Sequence, residues 1–361
     1  MLCVMPRHAT FAPDGAREAL LAAARERILV TDGAFGTEIQ NWKLSEADFA
    51  GTLGLSHDQK GNNDILALTK PEVPESIHRA YFEAGADIAE TNTFSANRIS
   101  QADYGAEGLV REINIESAAM ARRVADEYAA RDGRRRFVAG AIGPTNKTLS
   151  LSPDVNDPGF REIDFDYLKA VYREQTDALI EGGADFILIE TVFDTLNAKA
   201  GVMAAQEAAE AFGRDVPIML SMTLTDLSGR NLSGHTVEAF WHAVRHAKPV
   251  TIGLNCSFGA EQLRPHVKTL SEICDTLIMV YPNAGLPNEL GAYDEAPATT
   301  AGLVKEWAVA GQVNVLGGCC GSTPAHIKAI ADAVRGLAPR AIPTPPVRTR
   351  LAGLEPFTMA A

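Results

Sequence analysis

The sequence predicts an α/β protein with the (β/α)8 or TIM-barrel fold, and three observations lead to that prediction. Eight short runs are almost continuously apolar, which is typical of parallel strands buried on both faces. Helical patterns, with apolar residues recurring at three- and four-residue steps, separate these runs. Polar residues and glycines follow the apolar runs, as they do at the carboxyl ends of barrel strands. A doubly wound open sheet is the alternative for the same alternation.

The predicted strands are spaced along the whole chain and occupy, in order, residues 27–33, 86–94, 136–144, 184–192, 216–224, 249–257, 275–283 and 312–320. The clearest helix is predicted over 165–183, where one face is apolar and two glycines end the pattern. The longest gap contains residues 41–66, which we expect to form a loop insertion over one end of the barrel. We expect one barrel domain over 1–340, followed by a tail over 341–361.

Charge and hydropathy exclude some classes of function. The chain has 361 residues and a formal net charge of −13, so no basic surface for nucleic acid is expected. The one dense basic run, 131–137, is interpreted as a solvated helix end and loop. No apolar run reaches the length of roughly 18 residues that spans a bilayer, so no membrane contact is expected.

The cysteine count and the N-terminus indicate the compartment. Five cysteines, an odd number, do not form a disulfide framework. The N-terminal stretch 1–15 lacks the basic start and long apolar segment of a secretory signal. We therefore expect a reducing cytoplasm, where a cysteine pair indicates metal or redox chemistry.

Three cysteines lie at predicted strand ends, although those strands are far apart in sequence. Cys256 ends the sixth strand, and Cys319 and Cys320 end the eighth. Because strand ends meet on one face of a barrel, these side chains are expected to converge. Neighbouring side chains in a strand point to opposite faces, so the adjacent pair requires a turn. Gly317 and Gly318, with Gly321 following, are expected to supply its irregular dihedral angles.

Three converging thiolates suit zinc, which prefers sulfur and nitrogen ligands in a tetrahedral arrangement. No fourth cysteine or histidine lies at a strand end, so the site is expected to be open, as in catalytic zinc sites. Two other interpretations are inert small residues in a tight turn and a redox dithiol, although a redox pair usually has two intervening residues. Cys3 and Cys274 are expected to be inert.

An open zinc site with three thiolates carries a net charge of −1 and is a poor Lewis acid for making hydroxide. It suits a different task, which is to hold a substrate thiol as the reactive thiolate. The chemistry that these residues indicate is therefore alkyl transfer to a thiol.

Four motifs resemble the zinc-dependent homocysteine S-methyltransferases: DGAFGTEIQ, AGADIAETNTFSAN, GLNCSFG and GGCCGSTPAHI. The resemblance covers nearly the whole chain and implies a (β/α)8 barrel. Within the family, LIEGGADFILIETVFDTLNAKA and TRLAGLEPF are most similar to the homocysteine-binding module of cobalamin-dependent methionine synthase. The tail resembles the linker to that enzyme's folate-binding domain. That domain and the DxHxxG cobalamin motif are absent from this sequence.

The resemblance implies roles for individual residues. One Zn²⁺ per chain would be held by Cys256, Cys319 and Cys320. Asp32 and Glu190 would hold the ammonium of homocysteine; a turn-capping role for Asp32 and a structural hydrogen-bond role for Glu190 are the alternatives. Backbone N–H groups of the first turn would hold the homocysteine carboxylate, and these belong to Gly33, Ala34, Phe35, Gly36 and Thr37.

Further pocket residues are less sharply indicated. Asn255 is expected to contact the substrate, and Glu90, Thr91 and Asn92 are possible pocket lining, although they could equally order the barrel mouth. We hypothesise that the amide oxygen of Asn283 is the fourth zinc ligand at rest, with a simple turn asparagine as the alternative.

The expected function is methyl transfer to the thiol of L-homocysteine, giving methionine. The expected donor is methylcobalamin, carried with 5-methyltetrahydrofolate on cobalamin- and folate-binding modules of another chain or domain. The alternative is a self-sufficient methyltransferase that uses betaine or S-methylmethionine. A zinc storage or sensor protein is a third class, and the open fourth position argues against it.

Overall fold

Eight parallel strands form the centre of the computed structural model, which describes residues 15–359. Each lies within a predicted strand or overlaps most of it: β1 Leu29–Val30, β2 Ile88–Glu90, β3 Phe137–Ile142, β4 Phe186–Val192, β5 Ile218–Met222, β6 Thr251–Gly259, β7 Leu277–Asn283 and β8 Val315–Leu316. The sheet runs in the order β1-β8-β7-β6-β5-β4-β3-β2. A parallel bridge between Thr31 and Ile88 joins the two end strands. The predicted (β/α)8 barrel is confirmed.

Helices return the chain between successive strands, as the barrel requires. Those in residues 15–359 are α1 Ala16–Glu26, α2 Phe35–Asn41, α3 Glu46–Ala50, α4 Leu66–Thr69, α5 Glu72–Ala84, α6 Arg98–Gln101, α7 Val110–Asp132, α8 Phe165–Glu181, α9 Thr195–Phe212, α10 Val237–Val244, α11 Ala260–Ile273, α12 Pro297–Val309 and α13 Pro324–Val334. The helix predicted over 165–183 is α8, and Asp164 caps it by accepting from the N–H of Tyr167 at 2.8 Å. None of the described helices is long and apolar enough to cross a membrane.

Alternation along the strands separates the barrel interior from the layer under the helices. In β4, Phe186 and Leu188 belong to the interior cluster, whereas Ile187 and Ile189 pack toward the helices. The same period of two carries Glu190 into the interior at the carboxyl end of the strand. Interior positions are therefore apolar near the strand starts and polar at the carboxyl ends of the strands. We call the end of the barrel where these carboxyl ends meet the mouth.

Helix α1 closes the end of the barrel opposite the mouth. Its buried residues Ala16, Leu20 and Ala24 join the interior cluster that the strands form. Leu20 has no exposed surface. Burying such a side chain contributes about 1.5–3 kcal/mol, so this plug stabilises the barrel.

The basic run that was interpreted as solvated is partly buried, and that interpretation is wrong. Asp87 and Asp185, just before β2 and β4, are buried at the closed end. Arg134 lies 2.7 Å from Asp87, and Arg135 lies 3.2 Å from Asp185. The side chain of Arg136 is only 4% exposed. The run is buried because these carboxylates need a counter-charge in a poorly solvated place.

The insertion 41–66 lies at the mouth, as predicted. The carbonyl of Asn63 accepts from Asn92 Nδ2 at 2.8 Å. Asp64 Oδ2 accepts from the N–H of Ser95 at 2.9 Å. Asn92 and Ser95 follow β2, so these contacts hold the insertion against the open end of the barrel.

The C-terminal segment runs from the closed end up the outside of the barrel. Arg340 is buried and donates to the carbonyls of Ser271 and Thr276, each at 2.9 Å. A short antiparallel hairpin follows, formed by β9 Arg350–Ala352 and β10 Pro356–Thr358. Its tip is tied to the start of α10, where the N–H of Thr236 donates to the carbonyl of Leu354 at 3.2 Å. Cys3 and the N-terminal stretch 1–14 lie outside the described residues.

Candidate functional site

Three thiols meet at the mouth, and we call them the thiol cluster: Cys256, Cys319 and Cys320. Their Sγ atoms all lie within 4.8 Å of one another. The Sγ atoms of Cys256 and Cys320 are 3.7 Å apart. Each residue is half-buried, so the cluster is reachable from the mouth. The predicted convergence is therefore present in the fold. Cys274 is buried outside the cluster.

The chain leaves β6 abruptly at the first of these cysteines. Cys256 has φ of +60° and Ser257 has φ of +58°, which is left-handed backbone that residues other than glycine seldom adopt. The pairing of β6 with β7 shifts register between Asn255 and Gly259. Such a conformation costs about 1–2 kcal/mol per residue, so the surrounding structure must hold it in place. This bend aims the Cys256 thiol at the other two.

The glycines before the cysteine pair act differently from the prediction. A Cβ on Gly317 would lie 2.2 Å from Cγ2 of Thr31, and one on Gly318 would lie 2.4 Å from Oγ of Ser322. Both are thus needed because neighbouring groups approach closely. Only Gly321, with φ of +79°, has the unusual dihedral angle that the sequence argument invoked.

The cluster favours one negative charge over three. The pKa of the Cys320 thiol is lowered, chiefly by a hydrogen bond from Cys256 and to a smaller extent by one from Cys319. The pKa of Cys319 is raised, first by its hydrogen bonds with Cys256 and Cys320. Three thiolates would repel one another here unless a cation balanced them. Three sulfur donors gathered within 4.8 Å of one another are the kind of set that a soft divalent metal such as zinc selects.

A group of three carboxylates, which we call the acidic pocket, lies beside the thiols: Asp32 and Glu190, which are buried, and Glu90, which is half-buried. Asp32 and Glu190 are 2% and 5% exposed, so both have left bulk water. Asp32 Oδ2 accepts from the N–H of Glu90 at 2.9 Å. Burial is the largest cause that raises the pKa of each, and it brings Glu190 to about 7. Among the described residues, no cation is a partner of any of them.

Asn255 connects the acidic pocket with the thiol cluster. Its Oδ1 accepts from Ser221 Oγ at 2.6 Å and from the N–H of Thr191 at 3.1 Å. Its Nδ2 faces Glu190 Oε2 at 3.4 Å and Cys319 Sγ at 4.0 Å. Through these contacts the side-chain amide of Asn255 holds its neighbours in position. Its predicted contact with the substrate stays a prediction.

Asn283 lies directly against the cysteine pair. Its Oδ1 accepts from the N–H of Cys320 at 3.1 Å, which orients the loop that carries both thiols. Its Nδ2 lies 3.5 Å from the hydroxyl of Tyr293. A carbonyl oxygen has a second lone pair, so this contact is compatible with metal ligation. The resting fourth-ligand role stays a prediction.

Two tyrosines complete the site, and the sequence analysis missed both. The Tyr281 hydroxyl donates to Glu190 Oε2 at 3.3 Å. Tyr281 stands two residues before Asn283 on the same face of β7, so strand alternation could have found it. Tyr293 packs so closely on Gly321 that an added Cβ there would lie 2.2 Å from the tyrosine's Cβ. It comes from the long segment after β7, where no periodic pattern marks it.

The glycine-bearing turn after β1 is tied to the cysteine loop. The N–H of Ala34 donates to Ser322 Oγ at 3.2 Å, and the N–H of Gly321 donates to Thr37 Oγ1 at 3.0 Å. The N–H groups of Phe35 and Gly36 lie in the first turn of α2, where helix geometry supplies no acceptor. Their predicted contact with the substrate carboxylate stays a prediction.

The residues after Glu90 belong mainly to the barrel wall. Thr91 Oγ1 accepts from the N–H of Ala141 at 2.9 Å and lies 2.6 Å from Thr93 Oγ1. Asn92 holds the insertion, as described above. Of the possible lining residues, Glu90 is therefore the one placed in the acidic pocket. Pocket contacts of Thr91 and Asn92 stay predictions.

The fold and the site together define a barrel protein with a candidate trithiol metal centre at its mouth. A family model described as homocysteine S-methyltransferase matches residues 29–334. The chain therefore belongs to the homocysteine S-methyltransferase family, and it is a methyltransferase that acts on homocysteine. The resemblance seen in the four motifs is confirmed.

Solved structures of homocysteine methyltransferase MmuM from Escherichia coli share this architecture. The metallated form is 24% identical with a TM-score of 0.68, and the match covers 88% of this chain and 99% of that one. The apo form is 23% identical with a TM-score of 0.63, covering 88% and 100%. At this identity the likeness establishes the fold.

Proposed function

We propose that this chain is the zinc-dependent, homocysteine-activating module of a cobalamin-dependent methionine synthase. In this proposal methylcobalamin, held on a separate chain or domain, gives its methyl group to L-homocysteine and methionine is released. The observation that carries it is the thiol cluster beside an acidic pocket that has no cation of its own among the described residues. Such a pair of features suits a substrate with both a thiol and an ammonium group.

The cluster fits one Zn²⁺, held by Cys256, Cys319 and Cys320. Its three sulfur donors lie close enough together, and the metal's charge would relieve their mutual repulsion. When bound, zinc supplies the positive charge that favours the thiolate form of the substrate sulfur at neutral pH. Free thiols of this kind require a reducing compartment, and we propose the cytoplasm.

The residues around the cluster would bind and orient the amino acid. Asp32 and Glu190 accept hydrogen bonds from its ammonium, and the buried setting makes that ion pair stronger than in water. The first turn of α2 receives its carboxylate. Because Asn255 touches both Glu190 and Cys319, the ammonium position and the sulfur position are fixed relative to each other.

The reaction in this proposal is a displacement at carbon. The homocysteine sulfur loses its proton to solvent and attacks the methyl carbon of the donor. The new sulfur–carbon bond forms as the old methyl–donor bond breaks, and that bonding pair stays on the donor. The half-buried thiol cluster leaves the sulfur accessible from the mouth, where the donor must approach.

Exposed apolar side chains around the mouth support a donor carried by a large partner. They lie in the loops after β1, β2, β3, β5 and β7, and Leu290 and Leu227 are 93% and 77% exposed. Large exposed apolar patches are typical of protein interaction surfaces, and these loops all lie at the same end of the barrel. The rim consists of Trp42, Phe94, Val155, Phe160, Leu227, Leu232, Leu286 and Leu290. A small donor such as betaine would not need this rim.

Metal content and proton release test the zinc and thiol part. We expect about one zinc per chain by elemental analysis, and release of about one proton when L-homocysteine is added. L-homoserine, with a hydroxyl in place of the thiol, is the matched control and should release none. A folded protein that does not take up zinc, or zinc that is indifferent to homocysteine, would contradict the proposal.

Donor preference tests the cobalamin part. Zinc-loaded protein with homocysteine should demethylate free methylcobalamin, seen as the spectral change of the corrinoid, and should leave betaine and S-methylmethionine unused. Turnover with either small donor and none with methylcobalamin would instead identify a self-sufficient enzyme.

A further inference from the structure

A cavity separate from the mouth and from the thiol cluster lies at the closed end of the barrel. Its volume is about 690 Å³. It is formed by the end of α10, the residues just before β6 and β7, and the C-terminal segment where β9 begins. Small-molecule sites typically measure about 300–1,000 Å³, so this cavity has the size of a binding site.

The lining of this cavity is basic, and we call it the basic cavity. Four cationic side chains line it, and Asp275 is the single carboxylate among the lining residues. The cations are Arg245, Lys248, Arg348 and Arg350. The chain as a whole carries a formal net charge of −13, so this concentration of positive charge runs against the rest of the molecule. A concave site of one sign focuses its field on an ion of the opposite sign.

Part of this positive charge is not paired with an acceptor or a carboxylate among the described residues. Arg245 pairs with Asp275 at 2.8 Å, and Arg350 donates to the carbonyl of Pro346 at 2.9 Å. Within residues 15–359, Lys248 Nζ and the Arg348 guanidinium have neither a hydrogen-bond acceptor nor an ion-pair partner. Two cations from distant parts of the chain thus face one cavity without a counter-ion.

The backbone at the lysine supports a role for its side chain. Lys248 has φ of +49°, a left-handed conformation in which glycine or asparagine is usual. The turn between α10 and β6 would form with less strain if glycine stood there. The lysine brings its ammonium group to the cavity despite this cost.

We propose that the basic cavity binds a small polyanion bearing two or more phosphate or carboxylate groups. Arg348 and Lys248 contact the anion directly. Arg245, although it is paired with Asp275, adds to the positive potential of the cavity. A concave cavity of this size, open to solvent on one side, accommodates a compact anion. Nucleic acid is disfavoured, because the surrounding acidic surface would repel a long polyanion.

Occupation of this site would join two parts of the chain. Lys248 belongs to the barrel, whereas Arg348 belongs to the segment that runs from the closed end toward the hairpin. An anion between them bridges barrel and segment. Because a ligand stabilises the state that binds it, the segment should become harder to detach.

Calorimetry with two probes tests the site and identifies the source of the charge. Inorganic tripolyphosphate represents phosphates and citrate represents carboxylates, each titrated at about 50 mM and about 200 mM salt. We expect binding of at least one probe, weaker at the higher salt. The double variant Lys248→Gln with Arg348→Gln should weaken it by roughly tenfold or more, since charge-assisted hydrogen bonds are lost.

The matched control removes the same charge elsewhere. Lys305→Gln with Arg131→Gln changes exposed residues of α12 and α7, outside the basic cavity, and should bind as the wild type does. Absence of binding by both probes would overturn the proposal, as would equal weakening in the control. Tripolyphosphate alone would identify a phosphate site, and citrate alone a carboxylate site.

Hydrogen exchange gives an independent readout. The bound probe should slow exchange of the backbone amides around 347–352 in the wild type and leave them unchanged in the Lys248/Arg348 variant. Unchanged exchange in the wild type at a saturating probe concentration would contradict the bridging arrangement. Neither readout involves zinc or homocysteine, so the outcome is separate from the proposed function.

Discussion

The two ends of this barrel treat buried carboxylates in opposite ways. At the closed end, Asp87 lies 2.6 Å from Arg27 and 2.7 Å from Arg134. Asp185 lies 2.7 Å from Arg122 and also contacts Arg135. At the mouth, Asp32 and Glu190 of the acidic pocket are about as buried, yet no arginine or lysine of the described chain reaches them.

This difference favours a stabilising role for the carboxylates of the closed end and a binding role for those of the mouth. A buried charge without a partner costs several kcal/mol, so the closed end satisfies its own carboxylates with arginines. At the mouth no side-chain cation offsets this cost, so burial raises the pKa of these carboxyl groups, and under the proposed function the substrate ammonium would favour their ionised form. The proteins that keep such unpaired charges do so at functional sites.

The largest effect is expected from the thiol cluster. Cys320→Ser should reduce metal affinity and homocysteine methylation by more than about 100-fold, because a ligand matters more than the outer partners whose loss costs 10–100-fold. Elemental analysis and methionine formation measure this. Cys274→Ser is the matched control, since this buried thiol lies outside the cluster, and it should keep its metal. A Cys320→Ser protein that retains zinc would rule out the trithiol site.

The next effect is a loss of stability, and it is expected when a buried ion pair at the closed end is broken. Arg122→Met leaves the more distant Arg135 as the cationic partner of Asp185, and the free energy of unfolding should fall by about 3 kcal/mol. Urea denaturation measures it, and metal content should be unchanged. Adding Asp185→Asn to this variant should recover part of the loss, because no charge is then stranded. If the single variant is as stable as the wild type, the pairing at this end is not what stabilises it.

The pH dependence of stability tests the burial of Asp64, a carboxyl group of the insertion at the mouth. Burial raises the pKa of Asp64 from 3.8 to about 7. An acid whose folded pKa is raised contributes most stability below its unfolded pKa, and this contribution is lost as pH rises toward the folded value. The wild type should therefore lose stability relative to Asp64→Asn, by up to about 1.4 kcal/mol per pH unit, between about pH 4 and about pH 7.

Unfolding free energies of both proteins at several pH values measure this difference, which should stay level above about pH 7. Asparagine can still accept from the N–H of Ser95, so the hydrogen bond of the insertion is kept. A difference that does not vary with pH would mean that Asp64 is solvated.

The last effect, on ligand binding and not on the fold, is expected in the acidic pocket. Glu190→Gln keeps an acceptor for the Tyr281 hydroxyl but removes the negative charge. Homocysteine affinity should fall by about 1.5–3 kcal/mol, the range for hydrogen bonds to charged groups. Stability should stay level or rise, because an unpaired buried charge has gone. Binding of 4-mercaptobutyrate, which lacks the ammonium, should be the same in both proteins, and an equal loss for both ligands would show that Glu190 serves the fold.

The strands and the thiol cluster could be predicted from the sequence because their signals are local. Parallel strands buried on both faces give apolar runs, and barrel geometry then places Cys256 beside Cys319 and Cys320. Asp32 and Glu190 also stand at predicted strand ends, although their roles were implied by the family resemblance. Strand alternation within β7 also places Tyr281 on the same face as Asn283.

Other features depend on contacts between distant segments, which no local pattern reports. The arginines of the basic run meet Asp87 and Asp185 only when β2, β3 and β4 are adjacent. Gly317 was assigned to a turn by its type, but Thr31 pressing against it is the actual reason. Tyr293 comes from a segment without periodicity, and only the folded chain places it over Gly321.

The plug formed by α1 has a consequence for the order of events in turnover. With Leu20 filling the closed end, traffic of substrate, donor and product passes through the mouth. Under the proposed function, homocysteine must be seated before a donor module covers that opening, and methionine can leave only after the module withdraws. Steady-state kinetics should then show a compulsory binding order, and an excess of donor module should slow product departure.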